Sequence, residues 1–330
     1  MNKAFKPLVA LAVLGLLLGA APRPAQAQGA AKRVAVFVGP TQDRFIGAWA
    51  KTFTDTATAR GLKPTVFSSP WDPTLQSQQI DDAVAQKFDL LVVGPISQKA
   101  AIPALTRAKG AHIPVVMAFA DFPKGEGQDL YLTYVGENSY RLGELGGEAL
   151  GEALKRAGRI PGKVAVLSGT LAEGGAPVRL AGLKAALAKY PGVELAVVED
   201  VQWNPSKAEQ AFAQILSRFG GAKGLDAVYG MNDVVANGAV QAAESAGVKL
   251  GSEKGSLIVV GGNCMGPGVK NIQSGKQVAT VFMLPHISSR NAANAAADIL
   301  AGKTLPRQIY DDHEIITKDK LAKFEKLCSY

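Results

Sequence analysis

From Arg33 onward, short apolar runs alternate with helix-like segments at steady spacing, and this alternation constrains the fold more than any other feature of the chain. Residues 33–38 (Arg-Val-Ala-Val-Phe-Val) read as a strand, 45–60 as a helix stopped by Gly61, 63–68 as a second strand and 75–85 as a second helix. Strands at 88–93 and 113–117 follow, with a helix over 97–109 between them. Continuous Val, Leu and Ile runs separated by helices predict a parallel sheet covered on both faces, because a strand buried on two sides shows no polar face. The pattern breaks at Val135-Gly136-Glu137-Asn138, after a loop at 123–127 rich in Gly and charge and a short run at 130–135. It then restarts: helix 140–157, strand 163–167, helix 176–190, strand 193–198, helix 206–219 and strand 225–229. Strands at 256–260 and 277–283 and a helix at 286–300 complete it. Two successive open α/β units of like design predict two similar lobes. Segment 308–316 is polar enough to be a connector, and the tail beyond it has a weak helical pattern.

The residues before this alternation carry a different signal. Lys3 and Lys6 form a basic start, residues 8–21 are apolar, and Ala25-Gln26-Ala27 offers small residues two apart to signal peptidase. Cleavage after Ala27 is expected, so residues 1–27 are a signal peptide and the mature protein is exported. The apolar stretch falls short of the roughly 20 residues a membrane span needs, and Pro22 and Pro24 follow it at once. Of 330 residues, 303 remain, enough for two ordinary domains. With 47% hydrophobic and 19% charged residues the chain is a packed globular one. Its net charge of +8 falls to about +5 without the first 27 residues, and Lys and Arg are scattered singly, so nucleic acid is not an expected partner. Cys264 and Cys328 are the only cysteines. One bridge is open to them in an oxidising compartment, and spacing alone does not decide it.

Enzyme signatures are thin. Gly261-Gly262-Asn263-Cys264-Met265-Gly266-Pro267-Gly268 follows a strand, but its spacing is not G-x-G-x-x-G and Pro267 removes an N–H that a phosphate would need. A turn presenting Asn263 is the better reading, and no dinucleotide or other cofactor is expected. His112, His286 and His313 stand far apart without metal-ligand spacing. Asp81-Asp82 and Asp311-Asp312 read as solvated surface pairs, and the glycines between Gly143 and Gly151 as close helix–sheet packing.

The loops leaving the strands are more coherent. In a parallel α/β sheet, ligands are held at the carboxyl ends of the strands. Asp43 and Phe45 follow the first strand, Trp203 a later one, and Asn232 and Asn263 two more, while Arg179 stands early in a helix. Aromatic faces cover the C–H faces of a sugar ring, and planar amides and guanidinium groups hold its hydroxyls. Each residue alone has an ordinary structural reading: Asn232 and Asp233 as helix caps, Phe45 and Trp203 as core, Arg179 as surface. Their joint position at strand ends is what makes a cleft.

Several motifs carry a family likeness: Val228-Tyr229-Gly230-Met231-Asn232-Asp233 with Gly238-Ala239, Ile258-Val259-Val260-Gly261-Gly262-Asn263, Arg179-Leu180-Ala181-Gly182, and Ile113-Pro114-Val115-Val116. On these the chain resembles the type I periplasmic sugar-binding proteins of the ribose/galactose-binding family, the exported receptors of ABC importers. The resemblance implies two Rossmann-like α/β lobes, 31–136 plus 284–311 and 137–283 plus 312–330, joined by a hinge of three segments. It places Asp43, Phe45, Arg179, Trp203, Asn232 and Asn263 on ligand-contacting positions. The family's Asp-Arg pair after the fourth strand is here Phe119-Ala120, with Asp121 just beyond as the remaining ligand residue of that loop. A family Asp is Asn263 and a hinge-side Gln is Met283. Fewer charged hydroxyl-readers imply an altered specificity. The expected function is capture of a sugar or polyol by hinge closure and delivery to an inner-membrane ABC permease, by a periplasmic monomer without catalysis. The alternative is a sensor subunit presenting the solute to a chemoreceptor or histidine kinase. A secreted dinucleotide enzyme is disfavoured by the glycine loop, and a transcriptional regulator by the export signal.

Overall fold

A computed structural model describes Met1 and residues 30–123, 125–172 and 174–328. The expected signal peptide and its cleavage site lie outside the described residues. The body from Lys32 onward forms one compact unit built on two six-stranded sheets.

The first half of the chain runs β1 (Arg33–Val38), α1 (Arg44–Ala59), β2 (Lys63–Ser68), α2 (Pro73–Ala85), β3 (Leu90–Val93), α3 (Gln98–Gly110), β4 (Val115–Met117) and β5 (Thr133–Gly136). The second runs α4 (Ser139–Arg156), β6 (Gly162–Ser168), α5 (Gly175–Leu187), β7 (Val193–Asp200), α6 (Pro205–Phe219) and β8 (Ala227–Gly230). It continues through α7 (Asp233–Ser245), β9 (Ile258–Val260), α8 (Gly266–Gln273) and β10 (Ala279–Val281). Last come α9 (Pro285–Leu300), β11 (Gln308–Tyr310), β12 (Ile315–Thr317) and α10 (Leu321–Phe324). The sheet orders are β11-β5-β4-β3-β1-β2 and β12-β10-β9-β8-β6-β7. All pairings within them are parallel except β10 with β12.

The central strands explain why these runs are strands at all. Val34, Ala35, Val36, Phe37 and Val38 are wholly buried, as are Leu90 to Val93 and Ala227 to Tyr229. Each large aliphatic side chain so buried contributes about 1.5–3 kcal/mol, which a sheet exposed on one face could not collect from both sides. Helices begin where a side chain can take an orphan N–H: Asp43, Asp72, Ser97, Asn138, Asn204 and Asn232 all accept from the first turn of the helix they precede.

Two expectations are corrected. The polar segment 308–316 is not a bare connector, since it holds β11, which pairs with β5, and the start of β12, which pairs with β10. The glycines of α4 serve helix–helix contact more than helix–sheet contact. A Cβ on Gly143 would lie 1.8 Å from the Arg179 carbonyl oxygen, and one on Gly182 would lie 2.0 Å from that of Tyr140. The bare backbones of α4 and α5 therefore touch, and only Gly146, against the Tyr229 ring, matches the helix–sheet expectation among these contacts.

The chain passes between the sheets three times, after β5, after β10 and after β11. One imidazole ties the three passages. His313 Nε2 accepts from Asn138 N at 3.0 Å, and Nδ1 lies 3.1 Å from the Phe282 carbonyl oxygen, so Nδ1 carries the proton. Burial, with the Arg179 and Arg141 charges, holds the ring's pKa down at about 4. Because the folded value lies below the ordinary 6.5, the group's stabilising contribution is present above pH 6.5 and is lost as pH falls toward 4. Between pH 7 and 4.5 the wild-type chain should lose on the order of 2 kcal/mol more stability than His313→Gln. Denaturant titrations at the two pH values measure the difference; equal losses would show that His313 is not the linked group.

Candidate functional site

Three loops leave strand ends through residues that L-amino acids rarely place at positive φ. Phe119 after β4 and Trp203 after β7 each have φ 60°, and Asn263 after β9 has φ 71°. Such backbone costs on the order of 1–3 kcal/mol per residue and persists where the surroundings over-determine it, most often at binding sites. Here it turns each of the three loops sharply at the carboxyl end of its sheet.

Arg179 is the centre of this region. It is 3% exposed, on the turn of α5 brought close by the glycine contact with α4. Its Nη1 donates to the Met231 carbonyl oxygen (2.5 Å) and to Asn263 Oδ1 (3.0 Å), and its Nη2 lies 4.0 Å from Met283 Sδ. The guanidinium sits 5.6 Å from the Trp203 ring centre. That ring lies on Gly169, where a Cβ would come within 1.8 Å of it, so glycine is required after β6 for the indole to reach this place. Arg179 Nε is buried without a hydrogen-bond partner. A buried guanidinium N–H left unpaired is expensive, and a ligand oxygen would pair it.

Phe45 is buried at the start of α1, edge-on to Phe119 with ring centres 6.2 Å apart. Both belong to an apolar cluster that crosses between the lobes and includes Trp49, Met265 and Met283. The structure thus brings Arg179, Trp203, Asn263, Met283, Phe45 and Phe119 to one interlobe region. Asn232 adjoins it through Met231, but its Oδ1 accepts from Val235 N at 2.8 Å and caps α7. Asp43 is an exposed cap, accepting from Ile46 N at 3.0 Å.

Asp121 lies elsewhere. Its Oδ1 accepts from Phe122 N (2.8 Å) and from the Tyr131 hydroxyl, and its Oδ2 from Gln308 Nε2 (2.7 Å). It lines an interlobe cavity of about 450 Å³, together with Glu137, Tyr134, Tyr310, Gly174 and Gly175. Gln98 spans the lobes beside it, accepting from Gly174 N at 2.8 Å. Glu137 was read from the sequence only as part of the break between lobes, yet it is 9% exposed. Burial pushes its carboxyl up to about 7, against the opposing charge of Arg179, so the two groups feel each other across the site. A charged residue in a Gly-x-Asn turn normally faces water, and no local signal marks its burial.

Two further carboxylates differ from expectation. Asp311 is not a solvated surface group: it is buried, Oδ1 accepts from Asn291 Nδ2 (2.9 Å), and Oδ2 has no partner. Asp233, beside the capping Asn232, is wholly buried and organises the loops around it. Its Oδ2 accepts from Met265 N (2.7 Å) and Thr280 Oγ1 (2.8 Å), and its Oδ1 from Gln277 Nε2 (2.7 Å). Burial raises its carboxyl to about 7, while these donors pull it back. The adjoining loop is closed by a disulfide between Cys264 and Cys328, which holds the tail against α8, β12 and the segment after β10. Among the described residues, no group of three or more His, Cys, Asp or Glu could hold a metal ion, and no helix is long and apolar enough to cross a membrane.

Two doubly wound lobes with a lined cleft at their strand ends define a binding protein of type I architecture. The family described as the periplasmic binding protein domain matches residues 34–304, and the chain belongs to it. It is 27% identical over 259 residues to the D-apiose import binding protein of Paraburkholderia graminis, covering 78% of this chain and 77% of the relative. It is 24% identical over 258 residues to the ribose import binding protein of Haemophilus influenzae, covering 78% and 82%. The crystal structure of a galactofuranose binding protein superposes with a TM-score of 0.81 over 91% of this chain and all of that one, at 22% identity, a likeness of fold.

Proposed function

We propose that this protein is the solute-binding receptor of an ABC importer, which captures a small sugar or polyol between its lobes and hands it to a permease. The observation that carries the reading is Arg179: a buried guanidinium with an unpaired Nε, held beside Trp203 and Asn263 at the strand ends. Family membership and relatives that are import binding proteins for D-apiose and ribose support the same reading. Trp203 and Phe45 supply aromatic faces from the two lobes, and Arg179 and Asn263 hold the polar edge of the ring. Lobes of 31–136 with 284–311, and of 137–283 with 312–330, move as units about the three chain passages. Asp43 and Asn232 shape the site as caps of the helices that border it. Capture and closure need no bond to be made or broken, so no catalytic residue is assigned. Export to the periplasm follows from the N-terminal pattern.

A thermal-shift screen of the purified protein against sugars and polyols tests the proposal. A true ligand at about 100 times its Kd adds roughly 2.7 kcal/mol of stability. For the best ligand, Trp203→Ala should bind roughly tenfold more weakly, since a stacked aromatic face is lost. Calorimetry decides it. A lowered melting temperature with an unchanged Kd would assign Trp203 to packing alone.

A further inference from the structure

The interlobe cavity beside the Arg179 region differs from it in chemistry. The inner region is bounded by aromatic and thioether side chains, Phe45, Phe119, Trp203 and Met283, with one guanidinium. The cavity of about 450 Å³ has a floor of acceptors and a rim of rings. Its volume lies within the roughly 300–1,000 Å³ usual for small-molecule sites. Glu137 forms part of the floor, a buried carboxylate at 9% exposure. Asp121, also lining the cavity, has three donors and so retains acceptor capacity, because an ionised carboxylate offers about four lone-pair sites.

The rim is exposed and apolar. Tyr140, Val178 and Tyr310 are 42%, 45% and 45% exposed, and all three line this one cavity. They come from α4, α5 and β11, so the rim, like the floor, spans both lobes. A patch meant only for a protein partner would not need a buried carboxylate beneath it. Acceptors below and ring faces at the sides are the chemistry of a hydroxylated ring.

We propose that this cavity is a second sugar subsite, and that the ligand is therefore a disaccharide or similar glycoside whose second hydroxylated ring passes Glu137 and rests between Tyr140 and Tyr310. The proposal rests on the sugar-cleft reading above and deepens it. Glu137 lines the cavity from the chain passage after β5, one residue before Asn138, whose N–H donates to His313. Gly175 keeps the wall open there: a Cβ on it would meet Ser139 Oγ at 2.7 Å and come within 3.9 Å of Glu137 Oε1. The glycosidic oxygen lies between the two regions, and hydroxyls of the second ring donate to Glu137 and Asp121.

Calorimetric titration with ribose, arabinose, glucose and galactose, and with disaccharides containing each hexose, tests the subsite. A disaccharide should bind with a Kd about tenfold or more below that of the monosaccharide it contains. That advantage should shrink at least about fivefold in Glu137→Gln and in Tyr310→Ala, which deletes an exposed ring from an edge strand and keeps the test usable if the buried variant does not fold. A monosaccharide bound as tightly as every disaccharide containing it overturns the second subsite and leaves the single-ring cleft standing. Binding of none of these probes overturns both.

Discussion

Asp233→Ala is expected to lower stability by about 3–5 kcal/mol, more than any other substitution outside the apolar cores. The carboxylate receives one backbone and two side-chain donors in a space with no measurable exposure. Removing it leaves the Met265 N–H, the Thr280 hydroxyl and one N–H of the Gln277 amide, whose nitrogen also donates to the Ala279 carbonyl, without their acceptor, and each buried donor so orphaned costs about 1–3 kcal/mol. The surrounding backbone cannot close the gap easily. Gly261 and Gly268 already press on the carboxylate, where a Cβ on either would fall 2.0–2.2 Å from its atoms, so the loops are shaped around this group. At about 2–4 °C per kcal/mol for a lobe of this size, the melting temperature should fall by roughly 10 °C. Asp233→Asn keeps the shape but turns one acceptor into a donor that faces donors, and should cost less, about 1–3 kcal/mol. Thermal and urea denaturation of both variants measure the ordering. A loss below about 0.5 kcal/mol in Asp233→Ala, the usual range for a surface site, would sink this account.

The role of Asp233 also shows where the sequence stops being legible. Asn and Asp side by side before a helical run announce a cap, and Asn232 is that cap. Nothing local separates its neighbour, whose three donors arrive from β10, from the turn before it and from the start of α8. Asp43 poses the same ambiguity, since an acidic residue after a strand serves a cap or a ligand by the same lone pairs, and here it accepts from Ile46 N. Glu137 and Asp311 are buried by elements distant in the chain, α5 and α9, which composition and periodicity around them cannot register. The α/β alternation, by contrast, was legible because period and apolarity are local: β1 and β2 begin and end where their patterns do, while β3, β9 and β10 are each two or more residues shorter than the apolar runs that announced them. β11 and β12 were not, because strands of three residues at sheet edges are held by backbone pairing with β5 and β10 and need no apolar pattern of their own. Arg179 was legible as a residue and not as a centre: its reach to Met231, Asn263 and Trp203 depends on the contact of α4 and α5 at Gly143 and Gly182.

Arg179→Ala should weaken binding of the screened ligand by about tenfold to more than a hundredfold, the equivalent of roughly 1.5–3 kcal/mol for a charged hydrogen bond. Its guanidinium already spends Nη1 on the Met231 carbonyl and Asn263, which fixes its plane and leaves Nε as the donor with nothing to meet. A hydroxyl or ring oxygen of the ligand at that nitrogen gains a preorganised, desolvated donor, and Ala removes it while stranding the ligand atom in a dry site. Melting temperature alone is a poor judge here. The variant also deprives the Met231 carbonyl and Asn263 Oδ1 of a donor, so stability should fall in either case. Arg179→Lys separates the two roles. Lysine keeps the charge but not the planar fork, so it should recover part of the stability and little of the affinity. Calorimetry with the best ligand from the screen, on wild type and both variants, measures each Kd beside each melting temperature. If both variants melt earlier and bind as tightly as wild type, Arg179 is a brace between loops, and the cleft is read by other groups.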